Sequence, residues 1–170
     1  KLGVKILQAV DTSGSMSCPA GTNFNCFEAA GAMALVNSLV EPYVHNLAFS
    51  DKIDKDNVVL HDRMSVSEAT QAFGHGGGTN LALPITWALS NKKSFDLIIV
   101  YTDNETWAGR RHMADAWKEY RKTINPNAKL VIASTASSQY TVGDPDDSSV
   151  LQCVGFDANL LTVIQNWARV

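Results

Sequence analysis

Three short strings of oxygen-bearing and glycine residues are the segments of this chain best suited to chemistry. They are Asp11-Thr12-Ser13-Gly14-Ser15, Gly76-Gly77-Gly78-Thr79-Asn80 and Thr102-Asp103-Asn104-Glu105. The first directly follows the apolar run Val4–Val10, and the last directly follows the apolar run Phe95–Tyr101. Carboxylate and hydroxyl oxygens are hard ligands, which suit magnesium, calcium or manganese rather than zinc or copper.

The oxygen donors in these strings are sufficient to hold one divalent cation. Magnesium takes about six oxygen ligands in octahedral geometry and usually keeps several waters. The predicted ligands are two carboxylates and three hydroxyls, from Asp11, Ser13, Ser15, Thr79 and Asp103. We expect the triple glycine to let the backbone turn sharply and bring Thr79 close. The sequence therefore predicts one Mg²⁺ ion, with Mn²⁺ or Ca²⁺ as alternatives, and a rim lined by Gly78, Asn80 and Glu105.

Each string also has a purely structural interpretation. Ser13 or Ser15 could cap a following helix, a glycine string is often only a loop, and a Thr-Asp pair after a strand is often a helix cap. The combination favours the metal site, because all three strings occupy loops after predicted strands and their spacing is that of a whole domain.

Three kinds of enzyme site fit these residues less well. An aspartic protease needs two paired carboxylates, but Asp11-Thr12-Ser13-Gly14 has serine between threonine and glycine, and no second such string occurs. A phosphotransferase with Asp11 as its nucleophile would need a second carboxylate where Ser13 stands. A Ser-His-Asp triad that uses His75 or His112 has no support in the spacing. We therefore expect binding rather than catalysis.

The hydrophobic pattern predicts strands that alternate with helices. The predicted strands are Val4–Val10, Tyr43–Phe49, Val58–Leu60, Phe95–Tyr101, Lys129–Ala133 and Cys153–Phe156. Apolar residues at helical spacing predict helices over Ala29–Val40, Ser65–Phe73, Met113–Ile124 and Leu160–Trp167. Ser65 and Glu68 form a capping-box pattern, and the polar segment 51–57 predicts a hairpin-like turn.

This alternation predicts a three-layer α/β fold, in which a mostly parallel central sheet has helices on both faces. Ligands in such folds bind beyond the carboxyl ends of the strands. No internal repeat, low-complexity tract or interior linker interrupts the pattern, so we expect residues 1–170 to form a single domain.

Composition and charge argue against several classes of partner. The net charge of -3 gives no general electrostatic reason to bind nucleic acid, and we interpret Arg110, Arg111 and His112 as a solvated helix start rather than a basic patch. No apolar run approaches the roughly 20 residues that span a bilayer, so we expect no membrane partner.

The three cysteines lack the paired Cys-x-x-Cys spacing of a zinc site. Cys18 and Cys26 are close enough in sequence to pair in an oxidising compartment. The odd count, completed by Cys153, argues against a disulfide framework. We expect reduced thiols and a cytoplasmic location.

The oxygen-bearing strings also carry a family resemblance. Val10–Met16, Gly77-Gly78-Thr79 and Tyr101–Asn104 resemble the metal-ion-dependent adhesion site of von Willebrand factor A domains, whose pattern is D-x-S-x-S, then threonine, then aspartate. All five predicted ligands match this pattern. The resemblance implies a mostly parallel sheet with one short antiparallel edge strand, and an ion that leaves one position for a carboxylate offered by a protein or small ligand.

A narrower resemblance covers most of the chain. Gly77–Ala88, Thr102–Gly109, Glu119–Lys122 and Asp144–Asp147 are similar to the sixty-kilodalton Ro autoantigen family. In that family the A domain follows a ring of helical repeats that binds noncoding Y RNAs and the ends of misfolded RNAs. The resemblance implies a ribonucleoprotein of RNA quality control or small-RNA storage.

That ring is not within this chain, so we expect RNA to bind the ring in the full-length protein and not this domain alone. The alternative is an A domain of an adhesion or surface protein. Free thiols would favour the Ro family, and a Cys18–Cys26 disulfide would favour the adhesion protein.

Overall fold

The computed structural model describes residues 1–20, 23–103, 110–134, 146–156 and 159–170. The strands within these ranges are β1 (Ile6–Asp11), β2 (Val44–Phe49), β3 (Ile53–Lys55), β4 (Leu97–Thr102), β5 (Lys129–Ser134) and β6 (Val150–Val154). The α-helices are α1 (Cys26–Val40), α2 (Val66–Phe73), α3 (Leu83–Ser90), α4 (Arg110–Thr123) and α5 (Leu160–Arg169). A short 3₁₀ helix spans Gly14–Ser17.

The strands form one sheet in the order β3-β2-β1-β4-β5-β6. Every neighbouring pair is parallel except β2 and β3, which are antiparallel. The expected three-layer α/β fold with a mostly parallel sheet is therefore confirmed. None of the helices in the described ranges is long and apolar enough to cross a membrane.

The central strands are buried on both faces, which explains their almost continuous apolar sequence. In β1, Leu7 and Ala9 face a core shared with α3 and α4, whereas Ile6 and Val10 face a core shared with α1, α2 and α5. Because successive side chains point to opposite faces of the sheet, β1 contributes apolar side chains to both cores.

The strand order places β1 between β2 and β4, at the point where the chain changes its direction of travel across the sheet. Connections leave to opposite sides at such a point and open a crevice at the carboxyl ends of the strands. Asp11 is the last residue of β1, and Asp103 directly follows β4. The fold therefore brings both aspartates to that crevice.

Local signals set the helix ends on the α1–α2 side of the sheet. The predicted capping box is present, since the Glu68 N–H donates to Ser65 Oγ at 3.1 Å and the Ser65 N–H donates to the Glu68 carboxylate at 3.2 Å. Helix α1 begins at Cys26, earlier than its apolar spacing indicates, because the Asn25 side chain accepts from the Glu28 N–H and caps it.

Two predicted strands are misplaced. The third strand lies at Ile53–Lys55 within the predicted turn, and not at Val58–Leu60. It is an edge strand of three residues with a single apolar side chain, so its sequence shows no alternation. Its register with β2 shifts between Ala48 and Phe49. Strand β6 covers Val150–Val154 rather than Cys153–Phe156. Helix α3 was not predicted, because its eight residues are mostly apolar all round.

The expectation of reduced thiols is wrong for two of the three cysteines. Cys18 and Cys26 form a disulfide, with their Cα atoms 5.6 Å apart. An antiparallel bridge between Pro19 and Asn25 closes the intervening loop, and the Cys26 N–H donates to the Cys18 carbonyl at 2.8 Å. This backbone pairing places the two side chains side by side. Cys153 is a free thiol.

Candidate metal centre

The segment after β1 gathers a carboxylate and two hydroxyls. The Ser13 N–H donates to Asp11 Oδ1 at 2.8 Å, and Ser13 Oγ lies 3.1 Å from Ser15 Oγ. Ser13 precedes the 3₁₀ helix, but its side chain makes no capping hydrogen bond. The structure therefore does not support the capping interpretation of Ser13, and the three side chains form one cluster of oxygen donors.

The second oxygen of Asp11 contacts the end of the neighbouring strand. Thr102 Oγ1 donates to Asp11 Oδ2 at 2.9 Å, as the parallel register of β1 and β4 requires. Asp103 follows Thr102 and is 1% exposed. Both predicted carboxylate ligands are thus buried at adjacent strand ends.

The loop that carries Thr79 is fixed to two strand ends. The Gly76 N–H donates to the Thr12 carbonyl at 2.9 Å, and the Gly14 N–H donates to the Gly77 carbonyl at 3.4 Å. On the other side, the Asn80 N–H donates to the Ser50 carbonyl at 2.8 Å. Thr79 therefore lies between Gly77, which is bonded to the turn that carries the serines, and Asn80, which is bonded to Ser50 just after β2.

Close approach, rather than a sharp turn, explains the first of the three glycines. None of Gly76, Gly77 and Gly78 has a positive φ. A Cβ on Gly76 would overlap the Ser50 side chain and would lie 2.6 Å from Thr12 Oγ1. Gly77 and Gly78 have only ordinary contact distances, to Asp51. The expected role of the triple glycine is therefore wrong in its mechanism, although the loop does reach the strand ends.

Two further carboxylates near this face were not identified from the sequence. Thr12 Oγ1 donates to Asp54 Oδ2 at 2.7 Å, and the exposed Asp51 lies against the glycine loop. Both come from the β2–β3 hairpin, whose position next to β1 depends on the tertiary fold. They add negative charge to the surroundings of the site, which favours a cation there.

Burial alters the acidity of the central carboxyl group. Desolvation raises the pKa of Asp11 from its ordinary value of 3.8 to about 6, and the charge of Asp103 adds to the rise. Hydrogen bonds from Ser13 and Thr102 act in the opposite direction. A buried carboxylate that only neutral donors contact is an unfavourable arrangement which a bound cation would relieve.

The predicted rim is only partly described. Asn80 Oδ1 accepts from the Ala82 N–H at 3.1 Å, so this oxygen belongs to the turn that leads into α3. Gly78 is exposed beside Asp51. Glu105 lies outside the described residues.

The donor chemistry fits a hard divalent cation. Within the described ranges no three His, Cys, Asp or Glu side chains converge on one point. A site at these strand ends would thus rely on the two aspartates together with the hydroxyls of Ser13, Ser15 and Thr79. That mixture suits Mg²⁺, Mn²⁺ or Ca²⁺ better than zinc.

The sheet order, the antiparallel edge strand and the oxygen donors at the ends of β1 and β4 define a von Willebrand factor A-type domain. The expectation that all three strings follow strands is wrong for the glycine loop, which lies between helices α2 and α3. Residues 5–168 match the family described as the Ro60 vWA domain, and the chain belongs to this family. It is 32% identical over 169 residues to the RNA-binding protein RO60 of Caenorhabditis elegans, covering 97% of this chain and 26% of that protein. It is 34% identical over 167 residues to the RNA-binding protein RO60 of Deinococcus radiodurans, covering 96% of this chain and 31% of that protein.

The crystal structure of the Deinococcus radiodurans Ro protein superposes with a TM-score of 0.85 at 32% sequence identity. The match covers 99% of this chain and 34% of that chain. This chain therefore spans about a quarter to a third of the length of these relatives.

Proposed function

We propose that this domain binds one divalent cation, Mg²⁺ or alternatively Mn²⁺ or Ca²⁺, through Asp11, Ser13, Ser15, Thr79 and Asp103. The bound ion would capture a carboxylate offered by a protein or small-ligand partner. One observation carries the proposal: the buried Asp11 accepts from the Ser13 N–H after β1 and from Thr102 Oγ1 at the end of β4, where Asp103 follows.

The charges of these ligands support capture of an anion. Only the two aspartates are charged, whereas the three hydroxyls are neutral. A hard cation held in this way keeps a preference for one more anionic oxygen, and a carboxylate supplies it. Among the side chains of this domain, Ser13 and Ser15 would hold the ion from the turn after β1, and Thr79 would hold it from the glycine loop.

We propose binding rather than catalysis as the role of this site. Both oxygens of Asp11 accept hydrogen bonds, so neither is positioned as an exposed nucleophile. The His75 ring packs against Phe27, with the ring centroids 5.6 Å apart, and makes no described hydrogen bond to Ser13. A Ser-His-Asp arrangement therefore has no support in the described residues.

In the full-length protein we propose that RNA binding belongs to the part outside this domain. The relatives are RNA-binding proteins by name, and this chain covers a third of their length or less. The net charge of -3 gives no electrostatic reason to bind phosphates.

We propose a cytoplasmic location on family membership alone. The Cys18–Cys26 disulfide does not support this location, since a reducing cytosol disfavours such a bond. Family membership also outweighs the adhesion-protein alternative that this disulfide would favour.

Titration calorimetry with Mg²⁺ tests the metal site. We expect one site in the wild type and roughly 100-fold weaker binding in Asp11→Asn, which keeps the shape of the side chain but removes its charge. Asp51→Asn is the matched control, since it removes a neighbouring carboxylate outside the ligand set. Equal affinities in the wild type and Asp11→Asn would contradict the assignment.

Acetate tests the open position. With Mg²⁺ present, acetate should shift the amide resonances of residues 76–80, and with EDTA it should not. Shifts that are the same in both conditions would show that the carboxylate does not bind through the ion.

A further inference from the structure

A groove leads away from the candidate metal centre between α1 and α2. One cavity of about 230 Å³ begins at Ser13 and Gly14. A second cavity of about 320 Å³ continues along the two helices. Both are lined by Asn25, Phe27 and His75, so they form one continuous depression, here named the α1–α2 groove.

The part of this groove beside the metal centre has an apolar floor, while Thr12, Ser17 and Asn25 add polar groups to its walls. Met16, which is 1% exposed, and Phe27 form its floor. The His75 ring stands tilted at 50° to Phe27. Phe24 is 50% exposed at the other end of the groove, which is unusual for a large aromatic side chain.

The walls of the groove are fixed before any partner arrives. Asn25 caps α1, and the capping box fixes the start of α2. The two helices approach so closely that a Cβ on Gly31 would overlap the Thr70 side chain. Beyond α2, the Gly76 N–H is bonded to the Thr12 carbonyl. A preformed groove loses little conformational freedom on binding, which favours affinity.

The charges along the groove indicate what it would hold. Its described lining contains no Lys or Arg, and Glu28 is its one carboxylate. A nucleic-acid strand would place several phosphates here without basic side chains to contact them. A peptide needs only one anion, at the cation, and its apolar side chain could then lie on Phe27 and His75.

We propose that the α1–α2 groove determines which carboxylates this domain captures. Its occupant is an extended segment of a partner protein in which an Asp or Glu is followed closely by a large apolar side chain. The acidic group binds the cation, the apolar side chain enters the groove, and a basic or neutral residue beyond it faces Glu28. This inference rests on the proposed metal-dependent capture of a carboxylate.

Short synthetic peptides test the proposal directly. The probes are acetylated and amidated glycine peptides with a single Asp, in which Leu stands one, two or three residues after the Asp, and an all-glycine companion. With saturating Mg²⁺, at least one Leu peptide should bind about tenfold more tightly than the companion, as burial of one apolar side chain allows. Chelation of Mg²⁺ should abolish the binding of all of them.

A blocking variant locates the effect in the groove. Gln71 is exposed on α2 and lines the second cavity, so Gln71→Trp should fill the groove without disturbing the core. We expect it to remove the tenfold advantage of the Leu peptide while Mg²⁺ affinity stays within twofold. Asn166→Trp, on the exposed surface of α5, is the matched control and should change neither.

The possible failures are distinguishable. If Mg²⁺ and acetate bind but all peptides bind like the companion, the groove proposal is overturned and the metal site stands. If calorimetry detects no Mg²⁺ binding, the proposed function itself fails. Leu peptides that bind equally well in EDTA would overturn the coupling to the ion, and displacement of the peptide by an oligouridylate would assign the groove to RNA instead.

Discussion

Gln8 and Asp11 are fully buried polar side chains on β1, and they affect the stability of the fold in opposite ways. Gln8 donates through Nε2 to Asn46 Oδ1 at 2.9 Å and to the Ala34 carbonyl at 3.1 Å. Its Oε1 accepts from Tyr101 Oη at 3.0 Å and from Asn37 Nδ2 at 3.1 Å. All of these partners are neutral and lie within the domain, so the Gln8 cluster is complete without a ligand.

Asp11 is equally inaccessible to solvent, but its partners do not compensate its charge. They are a backbone N–H and a hydroxyl, and burial raises the pKa of its carboxyl group to about 6. The buried amide therefore stabilises the fold, whereas the buried carboxylate opposes it until a cation or a proton arrives. Burial of a polar group therefore indicates function only where its partners leave its charge uncompensated.

Disruption of the Gln8 cluster should cost the most stability. Gln8→Leu should lower the free energy of unfolding by roughly 3–5 kcal/mol, because it leaves the Tyr101 hydroxyl and the Asn37 amide buried without their acceptor. Urea unfolding measures this loss. Gln71→Leu, on an exposed surface, should change stability by less than about 0.5 kcal/mol. A loss below about 1 kcal/mol for Gln8→Leu would show that the cluster is not integral to the fold.

The pH dependence of metal-free stability sharpens the contrast. The pKa of Asp11 is raised on folding, so its contribution to stability is fully present below pH 3.8 and is lost as the pH rises through about 6. In EDTA, the wild type should gain up to about 3 kcal/mol relative to Asp11→Asn between pH 7 and pH 4. Urea unfolding of both proteins at several pH values measures the difference.

Saturating Mg²⁺ should reverse this trend in the wild type, because the ion binds the ionised carboxylate and competes with the proton. Asp11→Asn should lack both the gain at low pH and its reversal by Mg²⁺. A stability difference that does not vary with pH would contradict the raised pKa.

The same contrast explains what the sequence could predict. Strands β1, β4 and β5 were predicted to within two residues, because burial on both faces makes their sequences almost continuously apolar. The aspartates were recognised since each stands where such a strand ends. Their hydrogen bonds were not foreseeable, because the contact between Asp11 and Thr102 depends on the register of strands 91 residues apart in sequence.

Other features depend on tertiary context in the same way. The Gln8 cluster reads in the sequence only as a polar interruption of an apolar run. Strand β3 is short and polar, and only its position beside β2 makes it a strand. The disulfide was misjudged because the pairing that aligns Cys18 with Cys26 lies in a turn, where no periodic pattern signals it.

Removal of the disulfide should affect the metal end of β1 more than the Gln8 cluster. A cross-link between residues eight apart contributes about 2.5 kcal/mol in the chain-entropy description. Cys18→Ala with Cys26→Ala should therefore cost about that much stability. It should also weaken Mg²⁺ binding about threefold, because the Cys18 N–H donates to the Ser15 carbonyl and steadies that turn.

Cys153→Ala is the control, because this free thiol on β6 is remote from the turn. Thermal unfolding and calorimetry measure the two effects. Unchanged Mg²⁺ affinity in the double variant, together with the expected loss of stability, would show that the disulfide supports the fold and not the site.

The smallest effect on stability is expected at Thr79, which tests whether the glycine loop contributes a ligand to the ion that Asp11 binds. Thr79 is half-buried. The loop is held by backbone hydrogen bonds of Gly77 and Asn80, which do not involve the Thr79 side chain. Thr79→Val keeps the branched shape and removes only the hydroxyl, so it should weaken Mg²⁺ binding about tenfold and acetate capture at least as much. Stability should change by less than about 0.5 kcal/mol.

Thr79→Ser keeps the hydroxyl and should bind Mg²⁺ within about twofold of the wild type, as calorimetry would show. If Thr79→Val binds Mg²⁺ as the wild type does, the ion is held by the strand-end residues alone and the loop does not sense what the ion captures.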